Sequence, residues 1–447
     1  MIQYRLLHLC WSGAALAVLL VPALGHAALL GPEQRITASD ADNSDGFGHA
    51  VDIDGDVAVI GAPGDDQEAT NAGAAYVFRR SGDTWVQEQK LTAETDANQF
   101  DGFGSNVAVD RELIVVGSPD DDEAGNDAGA AYVFEWNGST WVRNAKLLPN
   151  DPSNSGDEFG TAVDISTDVP DEDPPNEVTT IAIGAPRADV FQGVVFMFLR
   201  NSIGTWDPIG RLSDSDSLVG GNEAGETGTA LAIRGDRLVM GAPLDDQFGN
   251  NTGAVYVFGR SQIVSSWTES SKSYPTDPVP GDMYGAAVDV DRLFGLYTVV
   301  IGAPSPQNTG TAGRVFIFDG TSNADPIIFT AGADTDGFGS AVAIDGDHIV
   351  VGAPGDDQAA ENSGAVYFFL RDMPGHWLAD GQLIASDAGG QKAYGTSVAF
   401  RSTVIVGGPE DEAFTPGAAY VQGYLGDPVF SDGFDGGNTV AGDTFDL

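Results

Sequence analysis

Apolar residues in this chain come in short runs, and none of them follows the three- or four-residue spacing of a helix face. The stretch from Ala50 shows the pattern: AVDI at 50–53, VAVI at 57–60, AAYVF at 74–78 and WVQEQKL at 85–91. Alternation at period two marks a pleated strand with one packed face, and an unbroken apolar run marks a strand buried on both faces. The punctuation agrees with this reading. Asp54-Gly55 suits a two-residue hairpin that needs positive φ, and Pro63 ends the second run because it has no N–H to give a ladder. The segment is predicted to be four antiparallel strands, A to D, with no helix of any length.

The same sentence is then written six more times. DGFGHAVDIDGDVAVIGAPGDDQ at Asp45 returns almost unchanged at Asp336 as DGFGSAVAIDGDHIVVGAPGDDQ. Gly-Ala-Pro or a one-letter variant stands at Gly61, Gly117, Gly184, Gly241, Gly302, Gly352 and Gly407, spaced 50 to 67 residues apart. Upstream of each is an aromatic-Gly pair (Phe47, Phe103, Phe159, Tyr284, Phe338, Tyr394), with Thr227-Gly228 in the fourth copy. Downstream is a Gly followed by an alternating aromatic run, from GAAYVF at Gly73 to GAAYVQ at Gly417.

Seven copies of a four-stranded antiparallel sheet, each apolar on both faces, can bury themselves only against one another, which predicts an all-β, seven-bladed β-propeller. The ends of the array carry a further signal. EQRITASDADNSDGFG before the first copy matches EQKLTAETDANQFDGFG before the second, so it reads as a D strand without its own A, B and C; no D strand follows GAAYVQGY. The N-terminal strand is therefore expected to complete the seventh blade and remove an open sheet edge.

Composition adds a compartment and a charge. Residues 1–27 contain Arg5, the apolar run ALAVLLVPAL and the small-residue end Gly25-His26-Ala27, the pattern of a cleaved secretory signal. The sole cysteine, Cys10, lies inside it, so no disulfide is expected in a mature chain from Ala28, and no later apolar stretch has the length of a membrane span. The domain reading is signal 1–27, propeller 28–427, and an acidic, Gly-rich tail 428–447 expected to be disordered. With 20 basic against 66 acidic side chains and a formal net charge of −46, the chain repels phosphate backbones and anionic lipids, which excludes nucleic acid as a partner class. Solubility alone is the plain explanation of such a surface.

The acids are not evenly spread. In a propeller the A–B and C–D turns share one face and the B–C and D–A loops the other. The second set holds Asp65, Asp66, Asp120, Asp121, Asp122, Asp245, Asp246, Asp356 and Asp357, continued by Glu410 and Asp411. These form the candidate ligand-binding face, an incomplete ring of carboxylates. Asp52, Asp164 and Asp289 share one strand A position and are expected to line the central channel, hydrated there or available to chemistry.

This succession of aromatic-Gly, apolar strand, Gly-Ala-Pro and aromatic strand resembles the FG-GAP repeats of the integrin α-subunit propeller and of many bacterial secreted proteins, over about residues 30–427. The resemblance implies a binding or adhesion module whose ligands meet the face of the B–C and D–A loops. It also implies a calcium loop, Asp-x-Asp-x-Asp-Gly-x-x-Asp, between strands A and B. Here the counterpart DIDGDVAVIGAP has Ala50 at the first ligand, lacks the last and is one residue short, so plain hairpin turns are expected. The third copy is the exception, its longer loop offering Asp164, Ser166, Asp168, Asp171 and Asp173 as candidate metal ligands.

Other motifs add little. Arg234-Gly235-Asp236 spells a cell-adhesion tripeptide but occupies the slot of Asp54-Gly55-Asp56, where turn geometry explains it. The tryptophans of strand D (Trp85, Trp141, Trp206, Trp267, Trp377) read as packing residues, and the histidines after the signal share no blade position, so no catalytic constellation is formed. The functional expectation is a secreted or surface, non-enzymatic module for an extracellular protein or glycan, assisted by weak calcium binding. The rivals are an extracellular hydrolase using Asp52, Asp164 and Asp289, and a structural matrix component.

Overall fold

A computed structural model describes residues 30–149, 155–168, 177–215, 225–261, 266–293, 295–304, 312–320, 326–333, 335–409 and 416–423. The expected signal 1–27 and tail 428–447 lie outside them. In the first blade, strand A is Val51–Asp54, B is Val57–Ala62, C is Ala74–Ser81 and D is Thr84–Leu91. Seven four-stranded antiparallel sheets repeat this order, and the chain is a seven-bladed β-propeller. The innermost strands A are Val51–Asp54, Asn106–Asp110, Ala162–Asp168, Ala230–Arg234, Ala287–Leu293, Ala341–Asp345 and Ser397–Phe400.

The ring closes as its ends predict. Gln34–Ile36 pairs with the last strand C, Ala418–Gly423, in the register Gln34↔Val421, Arg35↔Tyr420, Ile36↔Ala419. Its place as a D strand is confirmed by one side chain. The Gln34 amide donates to the Trp85 carbonyl at 2.8 Å and accepts the Trp85 N–H at 2.7 Å. Gln89, on the D strand of blade 1, makes the same two bonds to Trp141 of blade 2, both at 2.8 Å.

Blades pack through seven apolar clusters, each shared by two neighbours; the one between blades 7 and 1 holds Phe47, Ile53, Tyr76, Ile405 and Val421. The aromatic of each FG pair drives this packing. Phe47 is fully buried, edge-on to Tyr76 at 5.4 Å and to Phe78 at 6.1 Å. Such a ring stabilises by about 1.5–3 kcal/mol through burial, with about 1 kcal/mol more from edge-to-face geometry. The glycines answer a different need, close backbone approach. The Gly48 N–H bonds the Gly61 carbonyl of its own blade at 3.0 Å, while a Cβ on Gly61 would meet the Gly104 carbonyl oxygen of the next blade at 2.0 Å. The FG of one blade thus seats on the GAP of the one before it, and the two motifs are one joint.

Candidate functional site

On the face of the B–C and D–A loops, the aspartate pairs divide their work. The first member is buried: Asp65, Asp121, Asp245 and Asp356 are 1–6% exposed. Each accepts the hydroxyl of a strand C tyrosine, Tyr76 (2.7 Å), Tyr132 (2.9 Å), Tyr256 (3.2 Å) and Tyr367 (2.7 Å). Each also faces the residue that pairs with that tyrosine on strand D, which is Lys90 at 2.7 Å, Lys146 at 2.9 Å, Lys272 at 3.4 Å and, in blade 6, Gln382 at 3.4 Å. Burial works against the charge on Lys90 and Lys146, but their hydrogen bonds to Asp40 and Asp65, and to Glu123 and Asp121, hold both above the ordinary lysine range. In blade 4 the lysine stands further off and burial pulls Lys272 down to about 8.

The second member is exposed. Asp66, Asp122, Asp246 and Asp357 each spend Oδ1 on the backbone N–H five residues on, at Asn71 (2.6 Å), Asp127 (2.8 Å), Asn251 (2.6 Å) and Asn362 (2.7 Å). Those four partners have φ of 49 to 52°, a left-handed conformation that Asn and Asp tolerate better than other side chains. The B–C loop is so folded into a fixed shape with one carboxylate pointing out. Asp120, which aligns with Gly64 rather than with Asp65, is half-buried and pushed up by burial, then by Asp127. Glu410 and Asp411 lie outside the described residues. Blade 3 breaks the pattern: Ala188 is buried in the anchoring position, Asp189 pairs with Arg211 at 2.6 Å, and Val190 and Phe191 stand exposed.

The repeat holds a further anchor that reading the sequence for carboxylate pairs passes over. In four blades the aspartate two residues before the aromatic of the FG pair, Asp45, Asp101, Asp282 and Asp336, is buried and accepts the backbone N–H three residues earlier at 2.7 to 3.0 Å. Burial raises Asp45 to about 6, with Asp65 and Asp42 adding to the shift. The signal was present in the sequence as the recurring DGF, but it was legible there only as a turn.

In the channel, Asp52, Asp164 and Asp289 tie neighbouring blades together. Each accepts its own following N–H and, with the other oxygen, an N–H from strand A of the next blade: Val109 at 2.6 Å, Ile233 at 2.7 Å and Ile344 at 2.7 Å. They are partly exposed at the residue level, but their carboxyl groups are enclosed by protein. That enclosure raises Asp52 to about 7, Asp289 to about 6 and Asp164 well above the carboxylate range, the last also pushed by Asp52 and Asp289. Two residues along, Asp54, Asp110, Ser166, Asp291 and Asp345 repeat the bridge to Arg111, Thr167, Gly235, Gly346 and Ser402. Arg234 meets Asp291 at 3.3 Å, and Arg401 is held charged against burial by Asp345, Asp52, Asp289 and Asp291.

The calcium loop of the family does not fit the first A–B turn. Asp52 and Asp54 have given oxygens to Ile53, Val109 and Arg111 N–H groups, and the turn is two residues long. In the third copy Asp164 and Ser166 are likewise engaged with blade 4, Asp168 ends strand A, and Asp171 and Asp173 lie outside the described residues. Among the described residues no cluster of three or more His, Cys, Asp or Glu is arranged for a metal ion. The tripeptide at Arg234 is built into a turn: Gly235 N–H bonds Ser166 and Asp236 accepts the Tyr297 hydroxyl at 2.6 Å.

A propeller of this repeat defines the class, a ring of FG and GAP joints carrying loops on one face. Segments 31–78, 85–134, 210–258 and 328–369 match the FG-GAP repeat family, and four matches on a seven-bladed propeller are consistent with an integrin-like FG-GAP propeller. Each matched segment opens near a strand D and runs through the following A, B and C, the same frame in which the N-terminal strand closes the ring. No curated protein matches the chain. FG-GAP repeats are typical of extracellular and surface proteins, and no helix among the described residues is long and apolar enough to cross a membrane.

Proposed function

We propose that the protein is a secreted or cell-surface, non-enzymatic adhesion module that meets a basic protein or a cation-bridged glycan on the face of its B–C and D–A loops. The observation that carries this reading is the division of labour within the aspartate pairs. Asp65, Asp121 and Asp245 are neutralised internally by lysine, so the charge available to a partner is that of Asp66, Asp122, Asp246 and Asp357. These sit in loops fixed by an internal bond, and a carboxylate that need not be ordered on binding loses less entropy when a partner arrives. Exposed Phe191 and Phe248 on the same kind of loop offer apolar contact, the usual complement to charge at an interface.

The hydrolase reading gains no support from the channel. Asp52, Asp164 and Asp289 have both oxygens engaged with backbone N–H groups.

The test is capture of cell-surface proteins and arrayed glycans by the chain and by a variant with Asp66, Asp122, Asp246 and Asp357 all changed to Asn, which keeps the loop-closing acceptors. Loss of capture in the variant, with unchanged melting, supports the reading. Equal capture by both removes it.

A further inference from the structure

The side of the ring opposite the aspartate loops carries the A–B turns, and there blades 4 and 5 depart from the repeat in ways that meet at one place. Strand B opens on Val57, Leu113, His348 and Thr403 in blades 1, 2, 6 and 7, but on Arg237 in blade 4. Its partner on strand C is Gly259, where an added Cβ would stand 3.3 Å from Arg237 Nη1. The glycine makes room for the arginine. In blade 5 the A–B hairpin, which ends at Asp54↔Val57 in blade 1, runs on past the matching pair Asp291↔Thr298 through Arg292↔Tyr297 to Leu293↔Leu296. This extension sets Tyr297 against blade 4. The Tyr297 hydroxyl donates to Asp236 Oδ1 at 2.6 Å, and its ring centroid lies 4.9 Å from Arg237 Cζ and 5.6 Å from Arg292 Cζ.

Two guanidiniums thus share one ring, and neither has an acid of its own. Lysines and arginines elsewhere in the fold, from Arg35 to Lys392, stand within 3.4 Å of a carboxylate. Arg260 is attracted by Asp168 and Asp236, and Arg401 by the channel acids. Among the described residues Arg237 and Arg292 form no ion pair. The acids next to them in sequence are committed elsewhere, Asp236 to Tyr297, and Asp291 to Arg234 at 3.3 Å and to the Gly346 N–H at 2.8 Å. Arg237 adds only a 3.5 Å contact to Ser270 Oγ. In a chain with 66 acidic side chains, two unpaired cations held against one ring are an unmet demand for an anion.

We propose that Arg237 and Arg292, set against Tyr297, bind the carboxylate of a small organic acid, with the neighbouring, exposed Leu296 meeting its short apolar body. A guanidinium fork matches the oxygens of a carboxylate, and stacking on the ring holds both forks in place, so less freedom is lost on binding. The net charge of −46 limits the ligand's size. A polyanion would carry many charges into a repelling field, and a phosphate dianion carries a second one. A single carboxylate answers the local pair, with acids beyond about 8 Å screened by salt. The site lies on the face away from the loop carboxylates and does not rest on an adhesive role for them.

The experiment is titration of the full chain, isotope-labelled at arginine, with sodium butyrate at fixed ionic strength, read by NMR on the side-chain Nε–H signals. Butyramide is the neutral match and inorganic phosphate the rival anion. Saturable shifts with one millimolar Kd are expected at Arg237 and Arg292, and none with butyramide. Arg292→Gln should remove the shift at Arg237, and Arg237→Gln the shift at Arg292, each by weakening binding about tenfold or more. Arg80→Gln, which removes an arginine paired with Asp56 on the same side of the ring, should leave both shifts intact. Shifts that rise without saturation, that appear equally at the ion-paired Arg35 and Arg80, that survive Arg292→Gln, or that saturate at lower concentration with phosphate would each overturn the site.

Discussion

Gly407 of the last blade lies against Gly48 of the first: a Cβ added to Gly407 would stand 2.0 Å from the Gly48 carbonyl oxygen and 2.2 Å from Ser397 Oγ. The same joint between GAP and FG recurs between blades along the chain, but this copy links its two ends. Gly407→Ala should therefore cost about 3 kcal/mol of stability in denaturant melts, since the Ser397 hydroxyl can turn aside but the Gly48 backbone cannot yield. Gly55→Ala is the control. Its φ is +57° but nothing stands within 4 Å of the added atom, so only the left-handed penalty of about 1 kcal/mol applies. Equal costs would mean that the joint is looser than it is drawn.

Closure makes a second prediction. A chain beginning after Ala38 lacks Gln34–Ile36, so the Ala418–Gly423 strand becomes an open edge and the Trp85 backbone loses the Gln34 amide. An exposed edge strand is a template for pairing with another chain. Aggregation or a large fall in melting temperature is expected, read by light scattering during a thermal ramp; a monomer as stable as the parent would show that three strands suffice for blade 7.

Much of this was legible in the sequence because the features concerned repeat. Strand order, blade count and ring closure rest on patterns written seven times, and the glycines and Pro63 each mark a backbone requirement that no other residue meets as well. The division within Asp65-Asp66 was not legible. Two adjacent acids look alike until Tyr76 and Lys90, brought beside Asp65 by pairing across strands C and D, take one of them inward. Asp52 posed the same difficulty. Its role depends on the Val109 N–H, 57 residues away in the next blade, and spacing within a blade says nothing about a bond between blades.

Blade 6 supplies a natural control for the buried lysines. Where blades 1, 2 and 4 have Lys90, Lys146 and Lys272, it has Gln382, still bonded to Asp356 at 3.4 Å. Lys146→Ala leaves Asp121 buried beside Asp101, which is itself fully buried. Removing one partner of a buried pair costs about 3 kcal/mol. Lys146→Gln keeps a donor and should cost less than half of that. If the two substitutions destabilise equally, hydrogen bonding is not what the anchor needs, and the ammonium charge is.

The channel carboxyls set a pH dependence whose sign follows from their direction. In the unfolded chain an aspartate titrates near 3.9, whereas burial lifts Asp52 to about 7 and Asp289 to about 6 in the fold. The folded state thus holds protons the unfolded chain has released, and stability that is complete below pH 4 is lost as pH rises through 6 and 7. Melting temperature should fall from pH 5 to pH 8. Since a net charge of −46 gives a similar trend by general repulsion, the informative measurement is the slope in Asp52→Asn, which should be shallower than that of the parent. An unchanged slope would assign the whole effect to the surface.

Calcium tests the loop face directly. Asp66, Asp122, Asp246 and Asp357 keep one oxygen free of the loop-closing bond, but they belong to separate blades and nothing gathers them into a cage of six to eight ligands. Binding at such carboxylates belongs in the millimolar range, and its effect must be separated from screening, which any salt supplies. Melts at matched ionic strength in sodium and in calcium should show a small added stabilisation by calcium in the parent and none in the variant carrying Asn at the four positions. The anchoring aspartates behave oppositely. Asp65 is already neutralised by Lys90 at 2.7 Å, so Asp65→Asn should lower stability in both salts and leave the calcium increment intact. A calcium shift that survives at the four-Asn face, or that disappears with Asp65→Asn alone, would place the cation among the buried anchors and take the exposed carboxylates out of the binding scheme.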